Sequence, residues 1–171
     1  MHARDPLGGA VSYAADILRQ GIDLAVLAEQ SGLQFQHQIG PHLRHVIEHY
    51  ETLLAGIEHG VIDYDNRRRN REIEQDPAIA RQACEALIKR FNERLQMPWP
   101  ESVAVVFDGG VTGDHRFVSG STPLRELLFV AGHAVHHYAL LSLAMKHAGI
   151  VVPDIIGKAP ATVRYEREKS A

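Results

Sequence analysis

A single cysteine, Cys84, rules out an intrachain disulfide in this 171-residue chain and suits a reducing, cytoplasmic setting. The amino terminus, Met1-His2-Ala3-Arg4-Asp5-Pro6, lacks the basic segment and apolar run of a secretory leader. No uninterrupted apolar stretch reaches the ~18 residues of a bilayer-spanning helix, so no membrane partner is expected. Positive charge is not in excess either. Eighteen Lys and Arg stand against 21 Asp and Glu, a net charge of −3, which argues against nucleic acid as a partner. The densest charge run is short, Arg67-Arg68-Arg69-Asn70-Arg71. Internal repeats and low-complexity segments are absent, and aromatic residues are few.

Histidine is abundant instead. There are 11 in the chain, and they cluster. An apolar share of 45% is ordinary for a globular protein, and the length fits one domain over residues 1–171. Apolar positions at helical spacing predict helices over 11–31, 39–58, 76–96 and 122–147. Gly21 marks a bend or break in the first. Asp76-Pro77 and Thr122-Pro123 read as N-caps followed by a first-turn proline. Gly60 and Gly149 read as helix ends. The last helix is apolar almost all round from Leu127 to Met145, which predicts a central, buried element. Val103-Ala104-Val105-Val106-Phe107, the turn residues Asp108-Gly109-Gly110 and a return at Arg116-Phe117-Val118-Ser119 predict a small β-hairpin. Residues 63–71 read as a loop, and the tail from about 153 as extended chain. Together these describe an all-α fold: a four-helix bundle with a small β-hairpin inserted before the last long helix. Such bundles build metal sites from inward-facing side chains.

On the last helix, His133 and His137 are four residues apart and share a face. That spacing lets two imidazoles reach one ion at about 2.0–2.1 Å. Burying unpaired imidazoles in an apolar helix is costly, so the pair is either a set of ligands or a pair of histidines satisfied by hydrogen bonds. His136 lies off that face and is a bystander. Ala134 stands where the zinc-protease motif H-E-x-x-H has its glutamate base, so peptide hydrolysis by that route is disfavoured. On the second helix His42, His45 and His49 share a face, and any of them could turn inward. Three protein ligands would leave an open position, the arrangement of a catalytic rather than a structural metal.

Two stretches, Ile39-Gly40-Pro41-His42-Leu43-Arg44-His45-Val46-Ile47-Glu48-His49 and Leu127-Leu128-Phe129-Val130-Ala131-Gly132-His133-Ala134-Val135-His136-His137-Tyr138, resemble the DinB/YfiT-like superfamily of metal-dependent enzymes. The resemblance implies a bundle in which one histidine of the second helix joins an H-x-x-x-H pair on the last. It makes His45, His133 and His137 the metal ligands, with His42 or His49 in place of His45 if the alignment slips. It also implies thiol-dependent S-transferase or isomerase chemistry, and a homodimer.

The expected function is therefore that of a metal-dependent enzyme, a transferase, isomerase or hydrolase. One divalent ion, zinc, nickel or iron, would hold water or a thiol at its open position, acting on a small-molecule substrate. The alternative is a non-catalytic, stress-response type of bundle that binds metal or a small molecule. A closed four-ligand site favours the second reading, and an open position on a cleft favours the first. Glu48 is a candidate general base or ligand-orienting group, against an exposed helix glutamate. Arg67, Arg68, Arg69 and Arg71 could bind a carboxylate or phosphate, against a solvated loop. Tyr64 lines a pocket or anchors that loop. Arg44 is expected at the surface, and Tyr138 and Cys84 in the core. His115, in the hairpin turn, and His147, at a helix C-terminus, need no metal.

Overall fold

Short polar caps and first-turn prolines set the helix starts. The computed structural model describes residues 5–170. Residues 1–4 and 171, which carry the reading of the leader and the outer ends of the expected domain, lie outside the described residues. Asp5 caps α1 (Pro6–Ser31), its carboxylate accepting from the N–H groups of Leu7 and Gly8. A one-turn α2 (Phe35–Gln38) leads into α3 (Gly40–His59), which ends at Gly60. The chain then forms β1 (Val61–Asp63) and the short α4 (Arg71–Gln75). Asp76 caps α5 (Pro77–Arg94). Next come β2 (Val103–Gly109) and β3 (His115–Ser121). Thr122 caps α6 (Pro123–His147), and α7 (Pro160–Ser170) ends the described chain.

Helices α1, α3, α5 and α6 pack together around fully buried Leu18, Leu24, Leu43, Ile47, Tyr50, Leu53, Leu87, Phe91 and Tyr138. Helix α1 starts one turn earlier than its spacing predicts, because Asp5 supplies a cap. It passes Gly21 without a break. The missing side chain there admits the Tyr138 hydroxyl, which a Cβ would meet at 2.5 Å. Close packing, rather than a bend, explains that glycine.

The all-α expectation is overturned by a three-stranded mixed sheet of order β1-β2-β3. β2 and β3 form the expected hairpin, longer than predicted and turning through residues 110–114 rather than 108–110. His115 therefore opens β3 instead of lying in the turn. The missed strand is β1, which pairs parallel to β2 with Val61, Ile62 and Asp63 opposite Ala104, Val105 and Val106. Parallel partners need a crossover, and residues 64–102, with α4 and α5, provide it. Three residues are too few to show a period, and the polar run after them masked the strand. Gly56 seats it: a Cβ there would collide with Ile62 and with the Val61 carbonyl.

Two other readings change. The tail is not purely extended, since α7 occupies eleven residues of it, none buried. Helix α6 buries Leu127, Val130, Ala134, Tyr138, Leu141 and Met145 but leaves Leu128, Leu140 and Leu143 about half exposed, so it has an outer face. By length and composition α6 is also apolar enough to cross a bilayer, although no uninterrupted apolar run pointed to it; 44% of its most apolar window is buried in this fold.

Candidate metal centre

The packing of α3 on α6 brings two histidine rows face to face. His133 Nε2 lies 2.9 Å from His45 Nε2 and 3.2 Å from His137 Nε2. Ligands about 2.0–2.1 Å from a tetrahedral ion stand about 3.3–3.4 Å apart, so little movement separates these spacings from a ligand set. His49 joins from one turn along α3. Its ring is 4.2 Å from that of His45 and 4.7 Å from that of His133. The ligand atoms of His45, His49 and His133 all lie within 4.8 Å of one another, close enough to hold a metal ion. His136 is exposed, its ring edge-on to His137 at 5.7 Å.

The second ring nitrogens fix the tautomers. His49 Nδ1–H donates to the His45 carbonyl at 2.7 Å, which leaves its Nε2 lone pair free. His42 Nδ1 and His137 Nδ1 are 2.8 Å apart, so one ring orients the other. His45 is held differently. Arg67 Nη2 donates to its Nδ1 at 3.0 Å. A guanidinium can only donate, so the hydrogen of neutral His45 sits on Nε2 and faces His133.

Burial keeps the rings neutral. Desolvation, helped at His45 by the neighbouring histidines and Arg67 and at His137 by the neighbouring histidines, lowers His45 to about 3 and His137 to about 4. Burial also lowers His49 to about 4, His42 and His133 shift in the same direction, and the His45 carbonyl opposes the shift at His49. Neutral imidazoles are what zinc, nickel or iron require. The donor set therefore fits a divalent ion, with Arg67 the one group aimed against it.

Glu48 is not the exposed glutamate its position suggested. It is 1% exposed and accepts from the Asn70 N–H at 2.7 Å. Arg67 Nε stands 3.4 Å from it and Arg44 Nε 3.8 Å. Burial raises its pKa, opposed by the Asn70 N–H and by Arg44, Arg67 and Arg69. Arg44, expected at the surface, is mostly buried and pairs with Glu74 at 2.5 Å. Arg67 is likewise no solvated loop residue. Its other donor meets the Tyr64 carbonyl at 2.9 Å. Cys84 is buried, with its thiol pushed up to about 12 by desolvation; it packs the core and is neither nucleophile nor ligand.

A chamber of about 680 Å³ opens beside the cluster. His49 is the cluster histidine that lines it, together with Tyr64, Asp65, Phe107, Arg125, Glu126 and Phe129. Tyr64 stacks on His49 at 5.4 Å, and Phe129 on His133 at 6.0 Å. Glu126 is fully buried and accepts from Tyr64 Oη at 2.9 Å, Ser121 Oγ at 2.5 Å and Arg125 Nη1 at 2.7 Å. Tyr64 thus both lines the pocket and anchors its loop. Apart from Tyr64, sequence reasoning missed this wall. The one available signal was Glu126 in the first turn of an apolar helix, four residues after the Thr122 cap.

No family model matches the chain, and no solved structure matches it. Among curated proteins it is similar to one described as FK506-binding protein 5 from Rhizopus delemar. The two are 28% identical over 158 residues, covering 91% of this chain and 38% of that protein. The chain thus spans well under half of that relative's length.

Proposed function

We propose that this chain is a metal-dependent enzyme in which His45, His133 and His137 hold one divalent ion beside the chamber. The observation that carries the reading is the convergence of three imidazole Nε2 atoms, at 2.9 and 3.2 Å from the central one. The H-x-x-x-H pair of α6 and its partner on α3 are also the residues through which the chain resembles the DinB/YfiT-like superfamily, and membership of it is part of the proposal. When bound, zinc, nickel or iron supplies Lewis acidity and lowers the pKa of a coordinated water or thiol. The chain's own residues do the rest. His42 orients His137. His49, with Nδ1–H fixed on a carbonyl, offers Nε2 as a proton acceptor between the cluster and the chamber. Glu48 holds Arg67 against His45, a contact that competes with an ion for that ring. The superfamily resemblance adds a thiol as cosubstrate, a homodimer as the assembly and the cytoplasm as its setting.

A second reading is non-catalytic ion binding, in which His49 completes a closed set of four; its proximity to His45 and His133 favours this. The chamber against His49 favours the enzyme. Metal analysis of the full-length protein, purified without chelator, decides whether there is a site at all. One ion per chain is expected, falling to near zero in His133→Ala. Absence of stoichiometric metal, or unchanged content in His133→Ala, sinks the proposal. Spectroscopy of the cobalt-substituted protein then separates the two readings. Three imidazoles plus an exchangeable ligand support the enzyme, and four imidazoles support ion binding.

A further inference from the structure

The chamber walls carry four charges, three of which are already answered. Arg125 and Glu126 pair at 2.7 Å. Asp108 pairs at 3.1 Å with Arg116, which also holds Asp63 at 2.5 Å. Asp65 has no such partner. Its Oδ2 accepts the Asp108 N–H at 2.7 Å, and among the described residues no arginine, lysine or histidine nitrogen reaches it.

Tyr64, Phe107 and Phe129 line the same chamber as this carboxylate. Phe107 and Phe129 are about 40% exposed, unusual for phenylalanine, and both face the chamber. Aromatic faces attract cations, and more strongly when water is partly excluded. The face of Phe129 already carries one, with Arg125 Cζ 5.0 Å from its centroid.

Asp65 is an exposed carboxylate without an ion-pair partner, and beside it the exposed parts of Phe107 and Phe129, whose faces already meet Phe117, Arg125 and His133, offer apolar surface; together they select one ligand chemistry. We propose that this chamber binds a small organic amine in its protonated form, with the ammonium on Asp65 and the apolar body against Phe107 and Phe129. The inference rests on the proposed function only in reading the amine as the substrate; the binding site itself does not depend on the ion.

Three probes of one shape test it: benzylammonium, benzyl alcohol and benzoate. Each is titrated into the full chain at neutral pH, with and without one equivalent of zinc, by calorimetry and protein NMR. Benzylammonium should bind at least about tenfold more tightly than the alcohol, and benzoate more weakly still. Asp65→Asn, which keeps an acceptor for the Asp108 N–H, should reduce benzylammonium to the level of the alcohol. Equal or tighter binding of benzoate overturns the proposal. So does undiminished benzylammonium binding in Asp65→Asn, or no binding of any probe. Should that variant fail to fold, the probe series on the native chain still decides. Zinc content of the same samples separates the two readings. Amine binding without zinc uptake keeps the chamber and removes the metal; zinc uptake without amine binding does the reverse.

Discussion

The histidine cluster and the chamber share a wall, yet different kinds of structure hold them. The cluster stands on α3 and α6, two long helices whose backbone hydrogen bonds are satisfied within each element. Its rings are spaced by the 3.6-residue turn, and their second nitrogens are tied down by His42, Arg67 and a carbonyl. Apart from His49, the chamber is built from strands β2 and β3, the loop after β1 and the first two turns of α6 with their Thr122 cap. Loops and strand ends move more readily than helix interiors. A rigid cluster suits an ion, which tolerates little geometric error. A wall of strands and loop suits a ligand that must enter and leave.

His42→Ala should split the two regions most widely. His42 touches the cluster only through His137 and does not line the chamber. Losing a group that orients a ligand typically weakens a metal by about 10–100-fold. Zinc affinity, measured by competition with a chromogenic chelator, should fall by that amount, while benzylammonium binding stays as it was. An unchanged zinc affinity would mean that His137 needs no orienting partner, or is not a ligand.

Legibility in the sequence divides along the same line. That His133 and His137 share a face could be read because a helix turns a spacing of four into one face, but the histidines whose ligand atoms the structure gathers are His45, His49 and His133. His45 was one of three candidates from spacing alone, and its choice came from resemblance. The structure brings all three α3 histidines to the site, in different roles. The chamber could not be read in advance. Asp65 and Phe107 are 42 positions apart and meet only because β1 pairs with β2, a contact across a helical crossover that no local period encodes. Glu48 was misjudged for a related reason. Its burial depends on Arg67 and Asn70 folding back over α3, which spacing along α3 does not reveal.

Arg67 joins the two regions, donating to His45 on one side and to the Tyr64 carbonyl on the other. Binding an ion through His45 Nε2 moves the ring hydrogen to Nδ1, where it meets a guanidinium N–H. Two donors 3.0 Å apart cannot both be satisfied. Arg67→Met removes the conflict and a positive charge together. Zinc should bind about tenfold more tightly, the equivalent of roughly one hydrogen bond. The chelated protein should lose about 1–3 kcal/mol of stability to urea, because Glu48 keeps only Asn70 and Arg44. Weaker zinc binding in Arg67→Met would show that the guanidinium supports the site rather than opposing it.

Acid should act on the histidines of the cluster. The folded pKa values of His45, His49 and His137, about 3 to 4, lie below the roughly 6.5 of an unfolded histidine. Between those values the unfolded chain binds more protons, so stability falls as pH drops from about 6.5 towards 4. Above about 6.5 these groups contribute no slope. Thermal melts of the chelated protein should show this decline, and His137→Ala should flatten it. A slope unchanged by that substitution would place the acid sensitivity elsewhere.

The smallest effects on the two regions come from the helical core, away from both. The Tyr138 hydroxyl is buried, has no hydrogen-bond partner among the described residues and fills the space left by Gly21. An unpaired buried hydroxyl is unfavourable, so Tyr138→Phe should leave stability within about 1 kcal/mol of native, on the favourable side. Gly21→Ala alone should cost about 1–3 kcal/mol by overpacking against that hydroxyl. In the Tyr138→Phe background the nearest contact relaxes to the ring carbon at 3.3 Å, and alanine's helix propensity, about 1 kcal/mol better than glycine's, can then show. The two changes should therefore couple favourably in a double-mutant cycle read by urea denaturation, with zinc and benzylammonium affinities both unmoved. Simple additivity would mean that Gly21 is required by something other than the tyrosine hydroxyl.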